Sequence, residues 1–266
     1  GYAAGRTPNP CVRCNGEVRF DAMLSLADAL GAARLATGHY ARIARDRHGP
    51  LVRAAADPRK DQSYMLATLD PPLLDRLSFP LGGLTKDSVR QLAREAGLPV
   101  ADKRESQDLC FVAGLGGRAF LQRHGGPRLR RPGEIVDRQG RVLGRHEGQH
   151  NYTVGQRRGL GLASAEPLYV LERDAGTNRV VVGPKEALAT NRVRLEDATL
   201  HRSPDEVEHV RLRYHSEPLA CRVHVQDDGS IELELDRSAS GVAPGQLACL
   251  MRQDRVVGEG TIREPR

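Results

Sequence analysis

From about residue 133 to the end of the chain, apolar residues occur in short runs that alternate with a period of two and break at Asp, Gly, Ser, Asn or Pro. A period of two is a strand period, and turn residues at this spacing confine half the chain to short antiparallel elements that must curl into a small barrel or sandwich. Two stretches, "EIVDRQGRVLG" and "LYVLERDAGTNRVVVG", each set two β-rich arms around a Gly- or Asn-containing turn and read as hairpins. Beyond "GPKEALATN", the segments "HVRLRYH", "LACRVHV", "SIELELD", "QLACLMR" and "VVGEGTI" read as successive short strands.

The first hundred residues follow another rule. Phe20, Met23, Leu24, Ala27 and Leu30 fall at helical spacing, with Gly31 as a stop. Residues 33 to 40, "ARLATGHY", then read as a buried strand ending in a small-residue turn, the order of an α/β unit, and "PLVRAA" reads as a further strand. Thr85 caps the helix "KDSVRQLAREA", which Gly97 and Pro99 close. The fold class is therefore α/β plus β. With no internal repeat and no long linker, the parts are expected to pack closely.

Lys and Arg number 40 against 34 Asp and Glu, a net charge of +6 that suits phosphate-bearing partners and equally a plain basic surface. No apolar run is long enough to span a bilayer and no basic-then-apolar signal opens the chain, so no membrane partner and a cytoplasmic location are expected. Five cysteines are too few and odd in number for a disulfide framework. Structural zinc would need a second pair spaced like Cys11 and Cys14 in "RTPNPCVRCNGEVRF", and none exists. Cys14 is expected ahead of a helix, where the dipole favours a thiolate; the alternative is that both are small packing residues. Cys110, in "KRESQDLCFV", falls where polar sequence meets apolar sequence, at the edge of a core, whereas Cys221 and Cys249 lie within strands and read as packing residues. The candidates for chemistry are Cys11, Cys14 and Cys110.

Six strings occur in order along the chain: "GRTPNPCVRCN", "ATGHYAR", "KDQSYML", "ESQDLCF", "HNYTVGQRRGLG" and "APGQLA". Together they resemble the tRNA-specific 2-thiouridylases, a bacterial family that places sulfur on C2 of the wobble uridine of certain tRNAs. The resemblance covers essentially the whole chain. It implies the remainder of an ATP-pyrophosphatase-type α/β domain over residues 1–115, a small central β-rich domain over 116–186 and a C-terminal β-barrel over 187–266. It also implies an ATP-dependent sulfurtransferase, with Mg2+ accompanying the ATP, acting on tRNA with sulfur from a persulfide donor such as a cysteine desulfurase or sulfur-relay protein. Cys110 would hold the persulfide. Cys14 would attack it, or close a disulfide with Cys110 after transfer, since the outer sulfur becomes a nucleophile only when the sulfur behind it is held or displaced.

By the same resemblance Gly38 is an ATP-contacting position and His39 a tRNA contact. Asn9, Pro10 and Cys11 face the target base; Lys60, Asp61 and Gln62 form a tRNA-contacting segment; Arg213, Tyr214 and Gln246 contact tRNA from the barrel. The residue types suit such contacts, with cations for phosphate, a ring for a splayed base and amides for base edges. The basic run at residues 123 to 133 adds phosphate affinity or is a solvated loop. Two features depart from the family pattern. The glycine-rich string Ser-Gly-Gly-x-Asp-Ser, whose amides would cradle ATP phosphates, does not occur in the sequence. The expectation is an N-terminally truncated chain that does not adenylate alone. Some members carry an acidic residue where Cys11 stands, so Cys11, Cys14 and Cys110 could instead ligate an iron–sulfur cluster, an alternative ranked below the persulfide. Two other classes stay open: a non-catalytic RNA-binding module, and a dithiol oxidoreductase using Cys11 and Cys14.

Overall fold

The computed structural model describes residues 4–103, 110, 112, 116–124, 126 and 131–263, so most of "ESQDLCF" and part of the basic run lie outside the described residues. The first part opens on a continuous helical run: α1 (Pro10–Cys14), a π-helical turn over Asn15–Arg19, and α2 (Phe20–Ala29). Phe20, Leu24 and Ala27 are buried, while Met23 is 39% and Leu30 74% exposed, so the buried stripe is narrower than the spacing suggests. Strand β1 is only Leu35–Ala36, and Ala36 is exposed. The expected strand over 33–40 shrinks because its backbone finds one partner among the described residues, the parallel strand β4 (Leu77–Ser78). Between them β2 (Arg42–Asp46) and β3 (Gly49–Arg53) form a hairpin. Helix α3 (Lys86–Glu95) begins where expected, with Thr85 Oγ1 accepting from the Ser88 amide at 3.2 Å, and ends at Gly97, whose φ of 65° closes it.

After α4 (Gly117–His124) come β5 (Gly133–Val136) and β6 (Val142–His146), then β7 (Tyr169–Asp174) and β8 (Arg179–Gly183). Both expected hairpins form, and they join through a parallel pairing of β5 with β8 into one sheet ordered β6-β5-β8-β7. Ile135, Val170, Val180, Val182 and Leu160 make its core.

The remaining strands are β9 (Ala189–Leu200), β10 (His209–Arg211), β11 (Leu219–Val225), β12 (Ile231–Ser240), β13 (Leu247–Arg252) and β14 (Arg255–Ile262). They run in the order β13-β10-β11-β12-β9-β14, and β13 pairs with β14 to close a six-stranded barrel. Strand β9 is not expected from the sequence, because only Val193 and Leu195 of its residues are large, apolar and buried. Strand β13 is buried on both faces. Leu247, Cys249 and Met251 pack with Val12, Phe20, Tyr64 and Phe79 of the first part, while Ala248 and Leu250 pack inside the barrel. Hairpin β2–β3 also extends the barrel sheet, Arg53 pairing with Arg255. The first part and the barrel therefore share one core.

Candidate functional site

Asn9 sets the start of the cysteine-bearing helix. Its Oδ1 accepts from the amides of Cys11 (3.1 Å) and Val12 (3.3 Å), and Pro10 takes the first helical position, where its missing N–H costs nothing. Cys11, not Cys14, stands at the helix start. Cys14 is one turn further in, at the junction with the π turn, which corrects the expectation that it precedes a helix. The π turn is wedged against the "KDQSYML" segment: Asn15 Nδ2 donates to the Met65 carbonyl at 3.2 Å, and a Cβ on Gly16 would lie 2.5 Å from Thr68 Oγ1. Single π turns are frequent at functional sites because they re-aim side chains.

Cys11 and Cys14 are half-buried and Cys110 is exposed, all three as free thiols. Partial burial pushes the Cys11 thiol up, and charge on Cys110 and then Cys14 pushes it the same way, with Arg19 opposing. Among the described residues no three His, Cys, Asp or Glu side chains are gathered as a metal group. Cys221 and Cys249 are buried in barrel strands, where desolvation pushes both thiols up to about 12.

Beside the helix lies a depression of about 390 Å³ lined by Arg19, Met23, Thr37, Gly38, His39 and Gln62. Gly38 is exposed, and a side chain there would project into space a ligand could use. His39 hydrogen-bonds through Nδ1 to Thr37 Oγ1 at 2.9 Å and sits between Phe20 and Phe79. Burial, helped by Arg19, pushes its pKa down to about 4, so the ring is neutral at physiological pH. Gln62 exchanges two bonds with Tyr40: its Oε1 accepts from the Tyr40 amide at 2.9 Å and its own backbone amide donates to the Tyr40 carbonyl at 2.8 Å. The "TGHY" and "KDQSYML" strings are thereby locked together. Lys60 is half-buried at the edge of this segment.

Asp61 is not a surface contact. It is 4% exposed, and its carboxylate accepts from the amides of Ala55 and Ser63, from Ser63 Oγ, and from Arg211 of β10 at 2.6 Å. Its work is internal: it ties the motif to the barrel. Gln246 also turns inward, Nε2 donating to the Thr7 carbonyl at 2.6 Å. Thr7 is gripped further by the Pro244 carbonyl, which accepts from its amide at 2.7 Å, and by Arg173 of β7, which donates to Thr7 Oγ1 at 2.8 Å. The segment leading to the cysteines is therefore held by both the central sheet and the barrel. Arg213 is exposed but donates to the carbonyls of Val154 and Gly241, and Tyr214 packs on His215 with ring centroids 3.9 Å apart.

Sequence reasoning missed Arg19. It lines the depression and acts on both Cys11 and His39, and its only sequence signal is a cation in the same helical run as the two cysteines.

A helical cysteine pair beside a neutral histidine pocket, carried on an α/β unit that shares its core with a β-barrel, defines a multidomain α/β plus β protein. Three family models match in succession: a tRNA methyl transferase HUP domain over residues 1–114, a tRNA methyl transferase PRC-barrel domain over 118–184 and an aminomethyltransferase beta-barrel domain over 188–262. A tRNA-specific 2-thiouridylase MnmA of Chloroflexus aggregans is 48% identical over 269 residues, covering 99% of this chain and 75% of that protein. The enzyme of the same name from Acidithiobacillus ferrooxidans is 44% identical over 266 residues, 98% of this chain and 76% of its own length. A bifunctional protein NifU/MnmA of Rubrobacter xylanophilus is 48% identical over 263 residues, 98% of this chain and 52% of that protein. The chain belongs to the tRNA-specific 2-thiouridylase family. No helix among the described residues is long and apolar enough to cross a membrane.

Proposed function

We propose that the protein is a tRNA-uridine 2-sulfurtransferase that uses ATP to activate C2 of the wobble uridine and a persulfide on Cys110 to deliver sulfur. The observation that carries this reading is that Cys11 and Cys14 lie on the helical run whose Arg19 and Met23 line the depression of Gly38, His39 and Gln62. Attack of uridine O2 on the α-phosphate of ATP expels pyrophosphate and leaves O2 adenylated. Cys14 thiolate then attacks the inner sulfur of the Cys110 persulfide. The S–S bond breaks, hydrosulfide leaves, and a Cys14–Cys110 disulfide forms. Hydrosulfide adds to C2 and AMP departs with the original oxygen. The outer sulfur is reduced, the two thiols are oxidised, and a two-electron thiol reductant resets the pair.

Asn9 holds the helix that presents Cys11 and Cys14, while the neutral His39 and Gln62 offer hydrogen-bonding edges to a base. Gly38 leaves room for the nucleotide. Mg2+ would arrive with ATP, and no step is assigned to it, since the described side chains gather no metal group. A persulfide donor remains the partner this chemistry needs, and the R. xylanophilus relative, whose name joins MnmA to a second function in one chain, supports a coupled supply. The family-model descriptions speak of methyl transfer, but two cysteines on one helix and the relatives' names favour sulfur.

The test is a strain lacking its 2-thiouridylase, complemented with the full-length gene that encodes this sequence as wild type or Cys110→Ser, with 2-thiouridine-type nucleosides measured in digested tRNA by mass spectrometry. Wild type should restore them and the variant should not. Restoration by both removes Cys110 as carrier; restoration by neither removes the function.

A further inference from the structure

The string "HNYTVGQRRGLG" has found no role so far. Its two arginines, Arg157 and Arg158, are exposed, and neither guanidinium has a hydrogen bond or ion pair among the described residues. The loop carrying them is nonetheless tightly built. Gln156 braces it from within: Oε1 accepts from the Thr153 amide at 3.0 Å and Nε2 donates to the Arg158 carbonyl at 2.9 Å. Its base is stitched to β7, the Gly155 amide donating to the Val170 carbonyl at 2.8 Å and the Val170 amide to the Gln156 carbonyl at 2.9 Å. On the far side Leu160 is buried in the central core. With both ends pinned, Gly155 and Gly159 take φ of 85° and 75°, and the two arginines between them are exposed.

The loop also abuts the barrel. Arg213 donates to the carbonyl of Val154, three residues before Arg157, and a Cβ on Gly155 would lie 3.3 Å from the Gly241 Cα. Arg157 and Arg158 thus stand on a loop that meets the barrel at Arg213 and Gly241, and among the described residues no carboxylate pairs with any of these three arginines. Glu166, which shares with Arg157 the lining of an adjoining depression of about 430 Å³, forms no ion pair with it. Adjacent unneutralised guanidinium groups on a rigid turn repel one another and gain by meeting an anion. Their planar forks match phosphate oxygens.

We propose that Arg157 and Arg158 form a preorganised clamp for backbone phosphates of the tRNA, continuing the barrel contact at Arg213. The proposal rests on tRNA being the substrate and adds a binding site in the central domain. Phosphate contacts of this kind position the RNA without reading its sequence.

The experiment measures binding of an unmodified tRNA transcript with a wobble uridine to the full chain by fluorescence anisotropy, between 50 and 300 mM salt as roughly the range where counterion release is resolved. Arg157→Ala/Arg158→Ala should weaken binding about ten-fold and lower the slope of log K against log salt by about 1.5 to 2, one contact per arginine. Arg157→Lys/Arg158→Lys should recover most of both losses. Arg222→Ala, an exposed arginine on β11, should change neither. Unchanged affinity and slope in the alanine variant overturn the clamp. So does an equal loss in Arg222→Ala, which would mean only general charge counts, or a loss of affinity with the slope intact and the melting temperature lowered, which would mean the loop merely supports the fold. Wild type that does not bind the transcript refutes the substrate reading itself, a result separate from the clamp failing alone.

Discussion

His39 carries a pH signature of its own. Its pKa is about 4 in the fold against an ordinary 6.5, because burial and Arg19 disfavour the imidazolium. The unfolded chain takes up the proton first as pH drops, so this contribution to stability is complete above about 6.5 and is lost as pH falls toward 4. Glu259 runs the other way. Burial, with Asp197 adding to it, raises its pKa to about 7 from 4.5, so its contribution is complete below 4.5 and is lost as pH rises through 7. Urea unfolding at several pH values should therefore give a flatter acid limb in His39→Phe and a flatter alkaline limb in Glu259→Gln. Curves parallel to wild type would show that neither group titrates as its surroundings dictate. The sequence marks His39 only as a contact, since its burial depends on Phe79, far along the chain. Asp61 reads as a contact for the same reason: nothing near it in sequence reveals Arg211.

At the scale of elements, the Asp61–Arg211 pair decides whether the "KDQSYML" segment stays seated on β10. Both side chains are shielded, 4% and 20% exposed, and Asp61 also collects two amides and a hydroxyl. Removing one partner leaves a buried charge, so Arg211→Met should cost about 3–5 kcal/mol, while Asp61→Asn with Arg211→Met should cost clearly less than the sum of the two single changes. Strict additivity in a double-mutant cycle would mean the pair contributes no coupling. Asn9→Ala should cost about 1 kcal/mol by stripping the cap from α1, read by the same denaturation. The elements themselves were largely legible. Period two marked both central hairpins, and the Thr85 cap marked α3. What escaped were elements whose signal is tertiary: β9, whose residues are mostly polar, and the π turn, where Gly16 lies too close to Thr68 for a side chain.

Over the whole molecule, β13 makes two domains thermodynamically one. Three of its side chains serve the first part's core and two serve the barrel interior, so the strand cannot leave one without vacating the other. The segmentation visible in composition and period is real for local structure, but a shared core is invisible to it, because a strand apolar on both faces reads the same whichever neighbour covers it. Met251 tests the coupling. It is 1% exposed and faces Val12, Phe20, Tyr64 and Phe79 across the junction, so Met251→Ala should cost about 2–5 kcal/mol through lost burial and a cavity. The informative readout is where that cost appears. Hydrogen exchange followed at the amides of Leu66, in the first part, and Leu250, in the barrel, should report equal losses of protection, since both open in the same event. A loss confined to Leu66 would instead mean that the first part detaches while the barrel stays closed. In that case the grip of Pro244 and Gln246 on Thr7, not the shared core, would be what keeps the cysteine helix against the barrel.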